Sequence, residues 1–177
     1  MEQVKKPNQK MVSSKRLTAT LLIAFLAVLF LPSTASAWSS NNGAVSIHAP
    51  STSAGSVHGV AVDSSGNIYA CGYYRGNFDV DPDPDTTVLL EGAGLNQPVI
   101  SKYDTSGNLI WARLLDADNN GIVNDCAIST DGAYIAVTGD YKGTMDVDGA
   151  GSMATITSGT QWDAYVALIN ASTGAVV

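Results

Sequence analysis

The sequence is poor in the residues that most catalytic sites use. Its 177 residues include only two histidines, His48 and His58, and two cysteines, Cys71 and Cys126. It contains neither of the catalytic patterns G-x-S-x-G and H-E-x-x-H. It also has no phosphate-binding loop and no Cys/His spacing for zinc. We therefore predict a non-enzymatic protein without a cofactor, apart from the calcium ion considered below.

Basic residues are also scarce, with nine lysines and arginines against sixteen acidic residues. Five of the nine lie near the amino terminus, at Lys5, Lys6, Lys10, Lys15 and Arg16. Residues 38–177 then hold four basic and fifteen acidic residues, a formal net charge of −11. Such a surface repels phosphates and anionic lipids. The expected partner is a protein or a carbohydrate, and not a nucleic acid.

The basic residues near the amino terminus belong to a predicted export signal. They precede an uncharged apolar run over residues 17–31, which is shorter than the roughly 20 residues of a membrane-spanning helix. Ala35, Ser36 and Ala37 follow and suit a signal peptidase. We predict a signal peptide over 1–37 and a secreted or cell-surface protein without membrane insertion after cleavage. An uncleaved anchor is the alternative.

In the rest of the chain, apolar residues do not recur every 3.6 positions between helix-capping residues, as they would in an amphipathic helix. The sequence therefore predicts an all-β protein. Short runs rich in valine, isoleucine, tyrosine and alanine are separated by turn sequences. The runs include "GVAVD", "NIYACGY", "VISKYD" and "NLIWARLL", and the turns include "DSSGN", "DTSGN" and "STDGA". This spacing predicts short antiparallel strands joined as hairpins.

The chain also repeats itself at a spacing of about 66 residues. The segment from Val57, "VHGVAVDSSGNIYACGYYRGNFDVD", aligns with "VNDCAISTDGAYIAVTGDYKGTMDVD" from Val123. The segment from Gln97, "QPVISKYDTSGNLI", aligns with "DAYVALINASTGAVV" from Asp163. We predict a Ser/Ala/Gly-rich leader over 38–56, a first unit over 57–121 and a second unit over 122–177.

The pattern "AVDSSGNIYACGYYRGNFDVDPDPDTT" followed by "VISKYDTSGNLIWAR" resembles the SBBP-type β-propeller repeat. That family has tandem "VDSSGNVYVTG", "G-x-x-D-F-D-P" and "VAKYDSSGNLLW" segments and occurs in secreted and cell-surface proteins, mostly bacterial. The resemblance implies four-stranded blades and an extracellular location. It does not imply one activity.

Two features depart from that family. The second unit stops at Val177, one position before the residue that would match Trp111. The chain also holds about two units, whereas a propeller closes with about four to eight blades. We predict an incomplete ring and a fragment of a longer protein; a partial propeller completed by other chains is the alternative. The stretch "AVSIHA" before the first unit is either a flexible leader or a ring-closing strand.

The run "DVDPDPD" raises the question of a metal site. Counted from Asp79, an EF-hand would need glycine at position 6 and glutamate at position 12, where this sequence has Pro84 and Leu90. Asp79 and Asp81 would share a face of an extended strand and form at most a weak cation site. The favoured interpretation is a solvated strand end, with prolines that prevent further pairing.

The segment "DADNNGIVND" is the better calcium candidate. Asp116, Asp118 and Asn120 stand at positions 1, 3 and 5 of an EF-hand-like loop, and Gly121 stands at position 6. Ile122 would offer its carbonyl at position 7. Position 12 lacks the closing carboxylate, so any affinity would be weak. An ordinary linker between blades is the favoured interpretation.

The sequence also supports predictions for its cysteines, one asparagine and three aromatic residues. We predict Cys71 and Cys126 as two buried free thiols, with a disulfide as the alternative that export permits. Asn170 begins an N-glycosylation motif that matters only in a eukaryotic secretory route. Tyr73, Tyr74 and Trp162 are candidate exposed aromatics, although blade packing is the favoured role.

The sequence thus predicts an exported, non-enzymatic structural or binding module with loops 82–96 and 149–162 as its contact surface. One alternative is a fragment of a secreted propeller enzyme, a hydrolase or an oxidoreductase. Another is a bulb-lectin-like carbohydrate binder, although the sequence has no Q-x-D-x-N-x-V-x-Y run.

Overall fold

A computed structural model describes residues 44, 46–47, 54–91, 95–148 and 154–177. This part of the chain is all-β, and no helix in it is long and apolar enough to cross a membrane. The predicted signal peptide over 1–37 lies outside the described residues. In chain order the strands are β1 (Ala54–Val62), β2 (Ile68–Arg75), β3 (Phe78–Asp79), β4 (Leu89–Leu90), β5 (Asn96–Tyr103), β6 (Leu109–Leu114), β7 (Asp116–Ala117), β8 (Asn120–Ile128), β9 (Tyr134–Lys142), β10 (Thr144–Asp146), β11 (Thr155–Thr157) and β12 (Asp163–Asn170).

The first unit forms a four-stranded antiparallel sheet, which we call the first blade. Its strand order is β1-β2-β5-β6, so each strand pairs with the next strand of the sheet along the chain. This confirms the predicted blade. The small hairpin β3–β4 is inserted between β2 and β5, and the sequence did not predict it. Its strands are two residues long, which is too short for an alternating apolar pattern to appear.

The turn between β1 and β2 shows why the "DSSGN" sequence recurs. The Oδ1 atom of Asp63 accepts hydrogen bonds from the backbone N–H groups of Ser65 at 3.0 Å and Asn67 at 2.9 Å. Gly66 has a φ of 84°, which favours glycine. Burial opposes ionisation of Asp63, but the hydrogen bonds from its neighbours outweigh burial and lower its pKa. Asp104 accepts the equivalent bonds in the "DTSGN" turn between β5 and β6.

The second unit forms a smaller version of the same sheet, which we call the second blade. Its strand order is β8-β9-β12, equivalent to β1-β2-β5. After the last turn, Val176 forms one antiparallel bridge with Ile169, where the first blade has β6. A separate three-stranded sheet with the order β11-β10-β7 contains the counterpart of the β3–β4 hairpin. Within the described ranges, the chain therefore forms blades that do not close into a ring.

The repeat extends to an irregularity of the backbone. The register of the first strand shifts between Val57 and Gly59 in β1, and between Val123 and Asp125 in β8. Each shift lies opposite a glycine of the next strand. A Cβ atom on Gly139 would overlap the Ile122 carbonyl oxygen, just as one on Gly72 would overlap the Ser56 carbonyl oxygen. These glycines allow the backbones to approach closely.

Replacing Gly139 with alanine is expected to lower the free energy of unfolding by about 2 kcal/mol, because the added methyl must displace backbone. Thr138→Ala, at the neighbouring exposed position, is the matched control and should cost less than about 1 kcal/mol. Chemical denaturation of both variants measures the difference. Equal losses for the two variants would contradict the close-approach role of Gly139.

The main hydrophobic core lies between the two blades. Strand β8 packs across β1, β2 and β5, so one face of the first blade is covered by the second blade. The buried side chains of this core come from both units: Ala61, Tyr69, Cys71, Ile100, Leu115, Ala117, Val123, Cys126, Ile135, Val137, Tyr141, Met145, Tyr165, Ala167, Ile169 and Ala171. Each blade thus buries a face against its neighbour, as expected for repeats that cannot bury their surfaces alone.

A disulfide joins the blades in this core. Cys71 in β2 and Cys126 in β8 are bonded to each other, with Cα atoms 6.4 Å apart. The prediction of two free thiols was wrong. That prediction assumed that bonded cysteines would occupy equivalent positions in the repeat, and Cys71 and Cys126 do not. The bond instead connects the opposing faces of consecutive blades. Positions that face each other across a blade interface need not correspond within the repeat.

A second, smaller core lies beneath the β3–β4 hairpin. Tyr74 and Phe78 stack with ring centroids 3.7 Å apart, and Val80 and Val99 complete the buried cluster. Ile47 packs against this cluster and is not in a strand. Residue 45 and residues 48–49 of the "AVSIHA" stretch lie outside the described residues. Tyr74 is therefore a packing residue, in agreement with the favoured expectation.

Candidate functional site

The acidic run after β3 forms a chain of side-chain-to-backbone hydrogen bonds. The Oδ1 atoms of Asp79, Asp81 and Asp83 each accept a bond from the backbone N–H two residues further on, at 3.1, 3.0 and 3.0 Å. Prolines occupy positions 82 and 84 and have no N–H group. The aspartate N–H groups of this stretch therefore find their acceptors in the preceding carboxylates.

The first step of this chain is repeated in the second blade. The Oδ1 atom of Asp146 accepts a bond from the Asp148 N–H at 3.1 Å, as Asp79 does from Asp81. Strand β3 ends at Asp79, so the alternation of faces in a strand does not apply to Asp81. The repeated Asp-Val-Asp closes a turn in both blades. The weak cation site at Asp79 and Asp81 stays a prediction.

The acidic run also forms one wall of a shallow groove, which we call the acidic groove. Its volume is about 190 Å³, and the turn between β5 and β6 forms the opposite wall. Asp83 and Pro84 are exposed there. The lining residues are Asp81, Pro82, Asp83, Pro84, Ser106, Gly107 and Asn108. Hydroxyl, amide and carboxylate groups converge on this groove from two loops of one blade.

The second calcium candidate is divided between two strands and a bend. Asp116 is exposed in β7, and Asn120 begins β8. The Oδ1 atom of Asp118 accepts the Thr144 N–H at 2.8 Å. The Ile122 carbonyl accepts the Tyr165 hydroxyl at 3.1 Å. The single ligand loop that the spacing predicts is thus absent, because residues 120–128 pair with β9.

Among the described residues, no group of three or more histidine, cysteine or acidic side chains is placed to hold a metal ion. Calcium binding by Asp116, Asp118, Asn120 and Ile122 stays a prediction.

Three donors from the first blade converge on one carbonyl oxygen of the second blade. Ala171 accepts hydrogen bonds from Lys102 Nζ at 2.9 Å, Trp111 Nε1 at 3.2 Å and Tyr69 Oη at 3.4 Å. Lys102 also lies 3.6 Å from Asp63 Oδ2 and 4.9 Å from the centre of the Tyr69 ring. The buried ammonium group thus has one hydrogen-bond acceptor, one opposite charge and one aromatic face beside it, which offset the cost of burying a charge. We call this set of contacts the interblade latch.

The latch continues around the last turn of the second blade. Arg113 Nε donates to the Gly174 carbonyl at 2.7 Å, and its guanidinium also donates to the Asp148 carbonyl at 3.2 Å. Gly174 has a φ of 71°, and a Cβ atom there would meet the Trp111 ring. In the sequence, Trp111 is marked only as part of the repeat pattern. The residues that contact Trp111 belong to the second unit, so no pattern within the first unit indicates them.

The remaining predicted residues are on the surface or at its edge. Trp162 is half exposed, and Tyr73 makes an edge contact with His58 at 5.5 Å between ring centres. His58 Nδ1 lies 3.1 Å from the Val123 carbonyl. The Oδ1 atom of Asn170 accepts bonds from Ser172 and Thr173 in the last turn. These groups do not form a common site with the acidic groove.

Comparison with known proteins supports the blade interpretation. The β-propeller repeat family SBBP matches residues 47–79, a range that includes β1, β2 and β3. None of the curated proteins matches the chain. The antiparallel blade over the same part of the chain and this match are consistent with an SBBP-type β-propeller repeat in this protein.

Proposed function

We propose that this chain is an exported, non-enzymatic propeller-repeat protein that acts as a structural or binding module at the cell surface or outside the cell. The observation that carries the proposal is the Cys71–Cys126 disulfide between the blades. Disulfides of this structural kind form and persist in oxidising compartments and are rare in the cytosol. The apolar leader predicted over residues 1–37 supports the same destination.

We place the contact surface of the module on the acidic groove. Its two walls are loops held by turn hydrogen bonds on a rigid sheet, the usual arrangement of a binding surface. Its exposed carboxylates suit a partner that presents basic or hydroxyl groups. Because both walls belong to the first blade, one blade is enough to form this surface.

Thiol trapping in cell fractions tests the export proposal. The full chain is expressed with its own leader, and cells are lysed in denaturant with a mass-tagged maleimide, so that buried free thiols are also alkylated. The exported fraction should contain chain that begins after Ala37 and takes up no tag before reduction. A leader-deleted chain retained in the cytosol is the matched control and should take up two tags. Unprocessed chain with two free thiols in every fraction would overturn the proposal.

A further inference from the structure

The outer face of the second blade carries exposed apolar side chains that no other described residue covers. Val166 is 77% exposed and Leu168 is 42% exposed, both on the side of β12 that faces away from the main core. Their cross-strand neighbours in β9 are Thr138 and Ala136. A shallow pocket of about 100 Å³ lies beside them and is lined by Asp125, Cys126, Ala127, Ala136 and Thr138.

The repeat shows what covers this face in the first blade. Thr138 is equivalent to Cys71, and Val166 is equivalent to Ile100, because Thr138 pairs with Val166 in the register in which Cys71 pairs with Ile100. Cys71 and Ile100 are fully buried, since the second blade packs over them. The same face is thus buried in one blade and open in the other.

The first blade has the complementary open face. Val57, Val60 and Val62 of β1 are 46%, 60% and 54% exposed. In the second blade the residues equivalent to Val57 and Val60 are Val123 and Cys126, which are buried against the first blade. The described part of the chain therefore presents the covering type of face on its first blade and the covered type of face on its second blade.

We propose that a second copy of this chain docks head to tail, with Val57, Val60 and Val62 of one copy on Thr138, Val166 and Leu168 of the other. The contact repeats the one already present between the two blades of a single chain. Such a contact is heterologous, because each partner uses a different face, and it closes into a ring when the rotation allows.

The contact between copies differs from the contact within a copy in two ways. Ala136 and Leu168 stand where the first blade has Tyr69 and Lys102, so the buried ion pair and its latch are replaced by apolar side chains. Asp125 occupies the position of the second blade that is equivalent to Gly59. Within one copy, β8 comes within 2.9 Å of the point where a Cβ atom on Gly59 would lie, so a side chain at this position keeps the two backbones further apart. The interface between copies is therefore more apolar at Ala136 and Leu168 and wider at Asp125. Because it lacks the latch, we expect the assembly to depend on protein concentration.

Cross-linking tests the geometry directly. Val60 and Thr138 are equivalent to Cys126 and Cys71, so in the proposed contact they face each other across two copies. Full chains carrying Val60→Cys or Thr138→Cys are mixed and treated with a short bismaleimide. The mixture should give a covalent dimer whose linked peptide joins positions 60 and 138, and either variant alone should give none. Symmetric dimers of one variant, or no dimer in the mixture, would overturn the proposal.

Sedimentation velocity provides a second readout on the same faces. Val60→Glu and Val166→Glu should each convert the oligomer to a monomer, since each destroys one of the two faces. Their equimolar mixture should recover a dimer and nothing larger, because only one intact contact can form. Leu89→Glu, at a 46% exposed position on the β3–β4 hairpin, is the matched control and should sediment as the unaltered chain does. A monomeric unaltered chain at the highest soluble concentration would also overturn the proposal and favour a further blade of a longer polypeptide.

Discussion

Replacing both Cys71 and Cys126 with alanine is expected to lower the free energy of unfolding by about 4 kcal/mol. The bond joins residues 55 positions apart, so it removes a large part of the conformational freedom of the unfolded chain. It also ties the first blade to the second at the centre of their shared core. Guanidinium unfolding of the double variant, followed by tryptophan fluorescence, measures the loss.

Two controls separate the covalent bond from the packing of the side chains. The unaltered chain unfolded in a reducing agent should lose nearly the same free energy, although its cysteine side chains are intact. Val123→Ala removes buried side-chain volume from the same interface without touching the bond, and its cost should not depend on the reducing agent. A loss below about 1 kcal/mol in the double variant would show that the bond contributes little to stability.

The fold of each blade could be predicted because its determinants are local. The turn after β1 needs an aspartate acceptor and a glycine with positive φ, and Asp63 and Gly66 lie within four positions of each other. Strand alternation then identifies β2, whose buried and less buried residues alternate from Ile68 to Ala70. The recurrence of both features about 66 residues later predicts the second blade.

The contacts between blades could not be predicted in the same way. The latch joins Lys102 and Trp111 to Ala171, residues that are 69 and 60 positions apart, and no local pattern marks the acceptor. The disulfide was missed for the same reason, because its two cysteines occupy different positions in the repeat. Interfaces between repeats depend on the rotation from one blade to the next, and a single repeat does not contain that information.

The acidic run shows that one local pattern is compatible with two different roles. Four carboxylates at alternate positions suggest a metal site. In Asp79, Asp81 and Asp83, however, one carboxylate oxygen accepts a hydrogen bond from a backbone N–H group. The prolines between them remove competing donors, so the same spacing serves to hold an irregular backbone in shape. The number of aspartates in this run is therefore explained by the backbone N–H groups that need acceptors, without a bound ligand.

Raising the pH from 8 to 11 is expected to lower the free energy of unfolding by about 4 kcal/mol through three buried tyrosines, in addition to the contribution of Tyr69, whose pKa burial also raises. Burial raises the pKa of Tyr103 from 10.0 to about 12, and burial also raises the pKa of Tyr74 and of Tyr165. Below pH 10 these phenols are neutral in both states, so they add no pH dependence. Above pH 10 they ionise in the unfolded chain only, and each contributes about 1.4 kcal/mol to the loss at pH 11.

Tyrosine substitutions distinguish this linkage from general alkaline instability. In Tyr103→Phe the loss between pH 8 and pH 11 should fall to about 3 kcal/mol, because one of the three phenols is gone. Val80→Ala removes a buried side chain from the same cluster and should cost about 2 kcal/mol at every pH, with the slope unchanged. Urea unfolding at closely spaced pH values gives both quantities. An equal slope in Tyr103→Phe and the unaltered chain would show that the buried hydroxyl of Tyr103, which donates to the Val80 carbonyl, does not govern the alkaline limit of the fold.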